Sequence, residues 1–185
     1  MSGEVPIAIT GATGFVGQAV LDETMLRNQP VNALVRRVSD HKHARVEWVV
    51  GDLANEQALS HLTAGTNAVI HIAGLTNTPD PANFEAANVA GTANVIAAAK
   101  QNGVKRFVFV SSLSARKPEL SAYGASKAEA EELVQASGLD WTIVRPPAVY
   151  GPRDNDMFEL FRTARLGLVP LPPGGATSII HVADL

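Results

Sequence analysis

The 185-residue chain contains no cysteine. Disulfides and thiolate catalysis are therefore excluded. Aromatic residues make up only 5% of it, and 15 basic against 18 acidic side chains leave a formal net charge of −3. Such a balance offers no electrostatic footprint for nucleic acid or an anionic membrane, so neither is expected as a partner. No run approaches the roughly 20 apolar residues that span a bilayer. Met1-Ser2-Gly3-Glu4-Val5 lacks the basic segment and long apolar run of a secretory signal. A cytoplasmic location is the expectation. Internal repeats and low-complexity tracts are also missing. What is there, 46% hydrophobic and 18% charged residues, suits a globular chain long enough for a sizeable core.

The chain is organised around Ile7-Ala8-Ile9-Thr10-Gly11-Ala12-Thr13-Gly14-Phe15-Val16-Gly17. Val5, Ile7 and Ile9 have strand character, and a helical pattern follows from Phe15 through Val16, Ala19, Val20 and Leu21. Gly11 permits a sharp turn, Gly14 a close approach of backbone to ligand, and Gly17 tight packing of helix on strand. The free N–H groups at the start of that helix favour an anion such as a pyrophosphate. A dinucleotide is the expected ligand; an ordinary strand–helix connection without one is the alternative.

Beyond a helix expected over 15–28, residues 31–35 read as a strand ending in Arg36-Arg37. NAD sites usually place a carboxylate near this point to hold the adenosine ribose. Two guanidinium groups, with no carboxylate before Asp40, favour NADP(H) and its 2′-phosphate over NAD. The alternative is a pair of solvated arginines. Residues 45–50 give a third strand closed by Gly51-Asp52-Leu53, where Asp52 can cap the helix expected over 56–64 or bind an adenine amine. Residues 66–74 form the next strand, ending in small residues, and 81–102 a long helix in which Gly91 signals close packing. Strands at 105–110 and 141–145 flank a helix over 121–137 stopped by Gly138. The alternation predicts an α/β fold, a doubly wound, mostly parallel sheet covered on both faces. After Tyr150 the texture changes to an amphipathic helix at 158–166, a proline-glycine loop and a short strand at 177–182. Two regions are expected, 1–150 and 151–185.

Tyr123-Gly124-Ala125-Ser126-Lys127 carries the chemistry. Spaced by one helical turn, Tyr123 and Lys127 share a face. A free phenol, with a pKa of about 10, is a poor proton shuttle at neutral pH, and a neighbouring ammonium would favour the phenolate. Ser112, at the end of the preceding strand, supplies a hydroxyl for the same substrate oxygen. Together the three suit proton transfer at a carbonyl or alcohol while a nicotinamide moves a hydride. His41-Lys42-His43 reads as a solvated loop rather than a metal site, His71 and His181 as satisfied structural histidines, and Trp48 and Trp141 as core.

The glycine turn, His71-Ile72-Ala73-Gly74, Asn88-Val89-Ala90-Gly91-Thr92, Tyr123 with Lys127, Arg145-Pro146-Pro147-Ala148-Val149-Tyr150-Gly151-Pro152 and His181-Val182-Ala183-Asp184-Leu185 come in a familiar order. In that order the chain resembles the extended short-chain dehydrogenase/reductases, the NAD-dependent epimerase/dehydratase family. The resemblance implies a Rossmann fold with Tyr123 as acid/base, Lys127 as the residue lowering its pKa and holding the nicotinamide ribose, and Ser112 orienting substrate, ahead of Ser111 and Ser114. It likewise implies a pyrophosphate loop of Gly11, Ala12, Thr13, Gly14, Phe15, Val16 and Gly17, and adenine contacts at Asp52 and Leu53. Ala73 and Gly74 would line the coenzyme, Pro146 to Val149 would close over the nicotinamide end, and Asn88 would be structural. Family members often pair through the helices at 81–102 and 121–137, which makes a homodimer an expectation.

Two departures sharpen the expectation. Ser112 and Tyr123 lie only eleven residues apart, where the family's sugar-nucleotide epimerases carry a longer loop. The short loop leans towards a reductase acting on a carbonyl or alcohol, with nucleotide sugars also in range. The chain also stops where the family continues, so the region 151–185 reads as an incomplete substrate lobe. The rival reading is a sensor or scaffold that binds NADP(H) without turnover.

Overall fold

The computed structural model describes residues 4–37, 43–168 and 176–185. The chain divides into two compact units, Met1–Arg145 and Pro146–Leu185. In the first, six strands form one parallel sheet: β1 (Ile7–Thr10), β2 (Val31–Val35), β3 (Val46–Val50), β4 (Ala68–His71), β5 (Arg106–Val110) and β6 (Asp140–Val144). Their order is β3-β2-β1-β4-β5-β6. The order reverses between β1 and β4, and doubly wound sheets hold ligands at such a switch, beyond the carboxyl ends of the strands.

Side-chain alternation along each strand feeds two cores. Ala8, Leu34, Val69, Phe107 and Phe109 face the helices α2 (Glu56–Thr63), α4 (Gly91–Gln101) and α5 (Ala122–Ala136), which contribute Leu59, Leu62, Val95, Ala99, Ala130 and Val134. Ile9, Val31 and Ala33 face α1 (Phe15–Leu26) through Leu21 on the other side. Caps set the helix starts. Asn55 accepts from Ala58 N–H at 2.9 Å at the head of α2, and Ser121 accepts from Gly124 N–H at 3.0 Å at the head of α5. Among the described residues no helix is long and apolar enough to cross a membrane.

Three expectations need correction. The helix expected over 81–102 is broken into α3 (Ala82–Phe84), a π turn (Glu85–Ala90) and α4. The Thr92 hydroxyl donates back to the carbonyl of Asn88 at 2.6 Å, a contact that bends helices, and the Asn88 side chain is drawn away to other partners. The strand expected over 66–74 is paired only at Ala68–His71, because Ala73 and Leu75 bond to side chains instead. Trp141 is 41% exposed rather than core, since β6 is an edge strand, with no neighbour beyond it in the sheet among the described residues.

The second unit pairs β7 (Ala148–Tyr150) with β8 (Ile179–His181) in parallel and carries α6 (Asp156–Arg165). The sequence predicts the strand that contains β8, at 177–182, but none at β7. Tyr150 meets Phe161 and His181 edge-on, at ring separations of 6.1 and 5.2 Å.

Candidate active site

The glycine turn follows β1 directly. Gly11 has φ +75°, and a Cβ there would lie 2.6 Å from the backbone nitrogen of Ala73, so both conformation and the approach of the neighbouring strand demand glycine. At Gly17 a Cβ would fall 2.0 Å from the carbonyl oxygen of Gly11. The helix is thus packed on the turn itself, a closer contact than the strand packing expected. A Cβ on Gly14 would meet only the Gly11 carbonyl oxygen, at 3.3 Å. Gly14 caps α1 without any side-chain hydrogen bond, and the first turn of α1 holds no acidic residue. These features leave the N-terminus of α1 suited to an anion. Ala12 is buried, whereas Thr13 and Gly14 are exposed.

The small residues after β4 connect this turn to the proposed chemistry. A Cβ on Gly74 would lie 2.8 Å from Asn88 Oδ1 and 4.0 Å from Lys127 Nζ. Arg36 and Arg37 are exposed at the end of β2. Asp52 bonds the Ala54 N–H at 2.9 Å, and the capping of α2 is left to Asn55. Leu53 occupies the space that Gly91 leaves open: a Cβ there would stand 2.7 Å from Leu53 Cδ1. The sequence's reading of Gly91 as a packing glycine is thereby explained. Pro146 and Val149 belong to the second unit.

The Ser112 side chain acts on the Tyr123 phenol, favouring its ionised form. Ser112 Oγ also accepts from Ser114 N–H at 3.2 Å. The phenol is flanked by the Phe84 ring at 5.9 Å. Burial raises the Tyr123 pKa above 10.0, and Ser112 offsets this only in part. The depression expected from Lys127 does not arise: the Lys127 ammonium donates to the Val110 carbonyl at 2.9 Å and sits 4.2 Å over the Phe109 ring. Burial lowers the Lys127 pKa from 10.5 to about 8, against the opposing pull of Glu131. Glu131, one turn further along α5 and buried, accepts from Arg145 Nε at 2.9 and 3.0 Å and pairs with its terminal nitrogen.

Residues 11–167 match the family model described as NAD(P)H-binding. The chain belongs to this family, as an extended short-chain dehydrogenase/reductase. It is similar to a ceramide reductase of Caulobacter vibrioides (strain NA1000 / CB15N), with 40% identity over 96% of this chain and 57% of the relative. A 4-hydroxy-2-methyl-3-oxo-4-farnesyl-3,4-dihydroquinoline-1-oxide ketoreductase of Stigmatella aurantiaca is 33% identical over 96% of this chain and 61% of its own length. The chain therefore spans about three-fifths of these relatives. Among solved structures, MoeE5 in complex with UDP-glucuronic acid and NAD superposes with a TM-score of 0.81 at 27% identity, covering 97% of this chain and 69% of that one.

Within this family member, several partners of the site escaped sequence reasoning. Phe109 and the Val110 carbonyl hold Lys127, the buried Glu131 pairs with the exposed Arg145, and Thr92 tethers His71. Glu131 carried a signal of its own, since it lies one further turn along the Tyr123–Lys127 face. His71 is fully buried and satisfied, as expected, with Thr10 Oγ1 at 2.6 Å and Thr92 Oγ1 at 3.0 Å. His41 lies outside the described residues.

Proposed function

We propose that the chain is an NADP(H)-dependent oxidoreductase that reduces a ketone on an amphiphilic substrate with a long aliphatic tail. The action of Ser112 on the Tyr123 phenol, one turn from the buried Lys127, is the observation that carries this reading. The residues suit a dinucleotide: Gly14 leaves room for close approach, and α1 begins with uncapped N–H groups. Gly11, Ala12, Thr13, Gly14, Phe15, Val16 and Gly17 cradle its pyrophosphate, Ala73 and Gly74 line its path, Asp52 and Leu53 meet the adenine, and Arg36 or Arg37 takes the 2′-phosphate.

When bound, a reduced nicotinamide supplies the hydride for the carbonyl carbon. Tyr123 donates the proton to the carbonyl oxygen. Its raised pKa suits that direction, because a phenol kept neutral near pH 7 is a proton donor. Ser112 shares the substrate oxygen and aligns it with Tyr123. Lys127 holds the ribose and, with a pKa of about 8, remains charged at neutral pH.

The tail rests on the names of two relatives, a ceramide reductase and a ketoreductase of a farnesylated quinoline oxide. MoeE5 holds UDP-glucuronic acid with NAD, which favours a second reading, an epimerase or dehydratase of nucleotide sugars. Incubation with NADPH and a panel of 3-oxo lipids, short ketones and UDP-sugars separates the readings. Loss of absorbance at 340 nm that grows with tail length supports reduction of an amphiphile. Coenzyme binding without turnover of any substrate would favour a sensor.

A further inference from the structure

We propose that His71 is a positioning residue whose neutral ring, protonated at Nε2, fastens residues 73–75 to the glycine turn on one side and to the π turn on the other. The proton assignment follows from the partners. Thr92 Oγ1 lies 2.6 Å from the Asn88 carbonyl oxygen, which can only accept, so the Thr92 hydroxyl proton is spent there. The Thr92 oxygen must then accept from His71 Nε2, at 3.0 Å. With its proton on Nε2, the ring accepts at Nδ1 from the Thr10 hydroxyl at 2.6 Å. The Thr10 oxygen in turn accepts the Ala73 N–H at 3.2 Å. Every proton has one place, and none is left over.

The far end of this chain of bonds holds the same segment a second time. Asn88 accepts the Leu75 N–H at 2.7 Å, donates to the Leu75 carbonyl at 3.0 Å and reaches Ser126 Oγ at 2.9 Å. Ser126 donates to the carbonyl of Tyr123 at 2.9 Å. His71 therefore joins two tethers, Thr10–Ala73 and Asn88–Leu75, into one path from the glycine turn to the helix of Tyr123. Thr10 and His71 are wholly buried and Thr92 is 1% exposed, so none of the three can touch a ligand. Whatever they do for a ligand passes through residues 73–75. The bearing on coenzyme binding rests on the function proposed above; the tether itself does not.

Hydrogen exchange on the 15N-labelled protein tests the tether without any ligand. The ring of His71 should show the Nε2–H tautomer at pH 7. Thr92→Val should speed exchange of both the Ala73 and Leu75 amides by about tenfold, whereas Thr92→Ser leaves them protected. Ala73 bonds to Thr10 and not to Thr92, so a purely local role for Thr92 would not move it. An Nδ1–H tautomer, or an unchanged Ala73 amide in Thr92→Val, would overturn the proposal. Should Thr92→Val fail to fold, His71→Asn serves: its Oδ1 can still accept from Thr10, so Ala73 stays protected while Leu75 is released. Equal release of both would contradict it. Titration with NADPH then reads the consequence, a several-fold weaker Kd in Thr92→Val restored in Thr92→Ser. Equal affinity in all three proteins would refute positioning, whereas a wild-type protein that binds neither NADPH nor NADH refutes the proposed function and leaves exchange to decide the tether.

Discussion

At the scale of single residues, neighbouring side chains of one type are set apart by their partners. Ser111 Oγ is buried and has no hydrogen-bond partner among the described residues, while Ser112 Oγ accepts from the Ser114 amide and acts on the Tyr123 phenol. Ser111→Ala should therefore leave stability within about 0.5 kcal/mol of wild type or raise it slightly, because a buried unpaired hydroxyl is a cost. Ser112→Ala should lower turnover at least about tenfold with coenzyme affinity unchanged. Melting curves and NADPH oxidation rates check the pair. His71 carries a pH dependence. Burial, with the nearby Lys127 charge, lowers its pKa from 6.5 to about 3. Between those values the unfolded chain binds a proton that the folded chain refuses, so stability falls as pH drops from 6.5 towards 3. Lys127 acts in the same sense at the other end: its folded pKa of about 8 lies below 10.5, so stability rises with pH across that interval. Denaturant midpoints across pH should show both slopes, and Lys127→Met should remove the alkaline one. Helical spacing put Tyr123 and Lys127 on one face, and its place at a strand end added Ser112, but neither could show which way the phenol's pKa moves. That direction depends on burial and on Lys127 reaching Val110 and Phe109 instead.

At the scale of elements, the glycines divide by what surrounds them. Gly17→Ala would drive a methyl into the Gly11 carbonyl, backbone against backbone, and should cost about 3 kcal/mol or more. Gly103→Ala, at φ +71° in open space, should cost only about 1 kcal/mol of conformational strain. Chemical denaturation of the two variants checks the contrast, and comparable losses would contradict the packing of α1 on its turn. The element order was largely legible. β2 runs over the residues its apolar run marks, and α5 starts at the serine and stops before the glycine that punctuate it. The π turn was not legible, because Asn88 has the periodicity of a helix. Its displacement depends on Leu75 and Ser126, remote in sequence. β7 escaped for a related reason: a three-residue strand after two prolines shows no alternation, and its partner β8 lies far along the chain.

At the scale of the whole molecule, Arg145 ends the first unit, and its guanidinium satisfies a carboxylate buried in α5. Glu131 is 3% exposed and Arg145 42%, so the loss of the arginine leaves a buried carboxylate without its hydrogen-bonded cation. Arg145→Met should cost about 3 kcal/mol, and Arg145→Lys should fail to restore it because an ammonium cannot match the fork. Adding Glu131→Leu to Arg145→Met should recover much of the loss in a double-mutant cycle. The proposed coenzyme site joins the glycine turn, at the point where the strand order reverses, to the helix of Tyr123. Calorimetric titration of the protein with NADPH and NADH, alongside an Arg36→Ala/Arg37→Ala variant, tests that site directly. The expected result is one coenzyme per chain, with NADPH tighter than NADH and the preference lost in the double variant. Absence of heat with both coenzymes would contradict it.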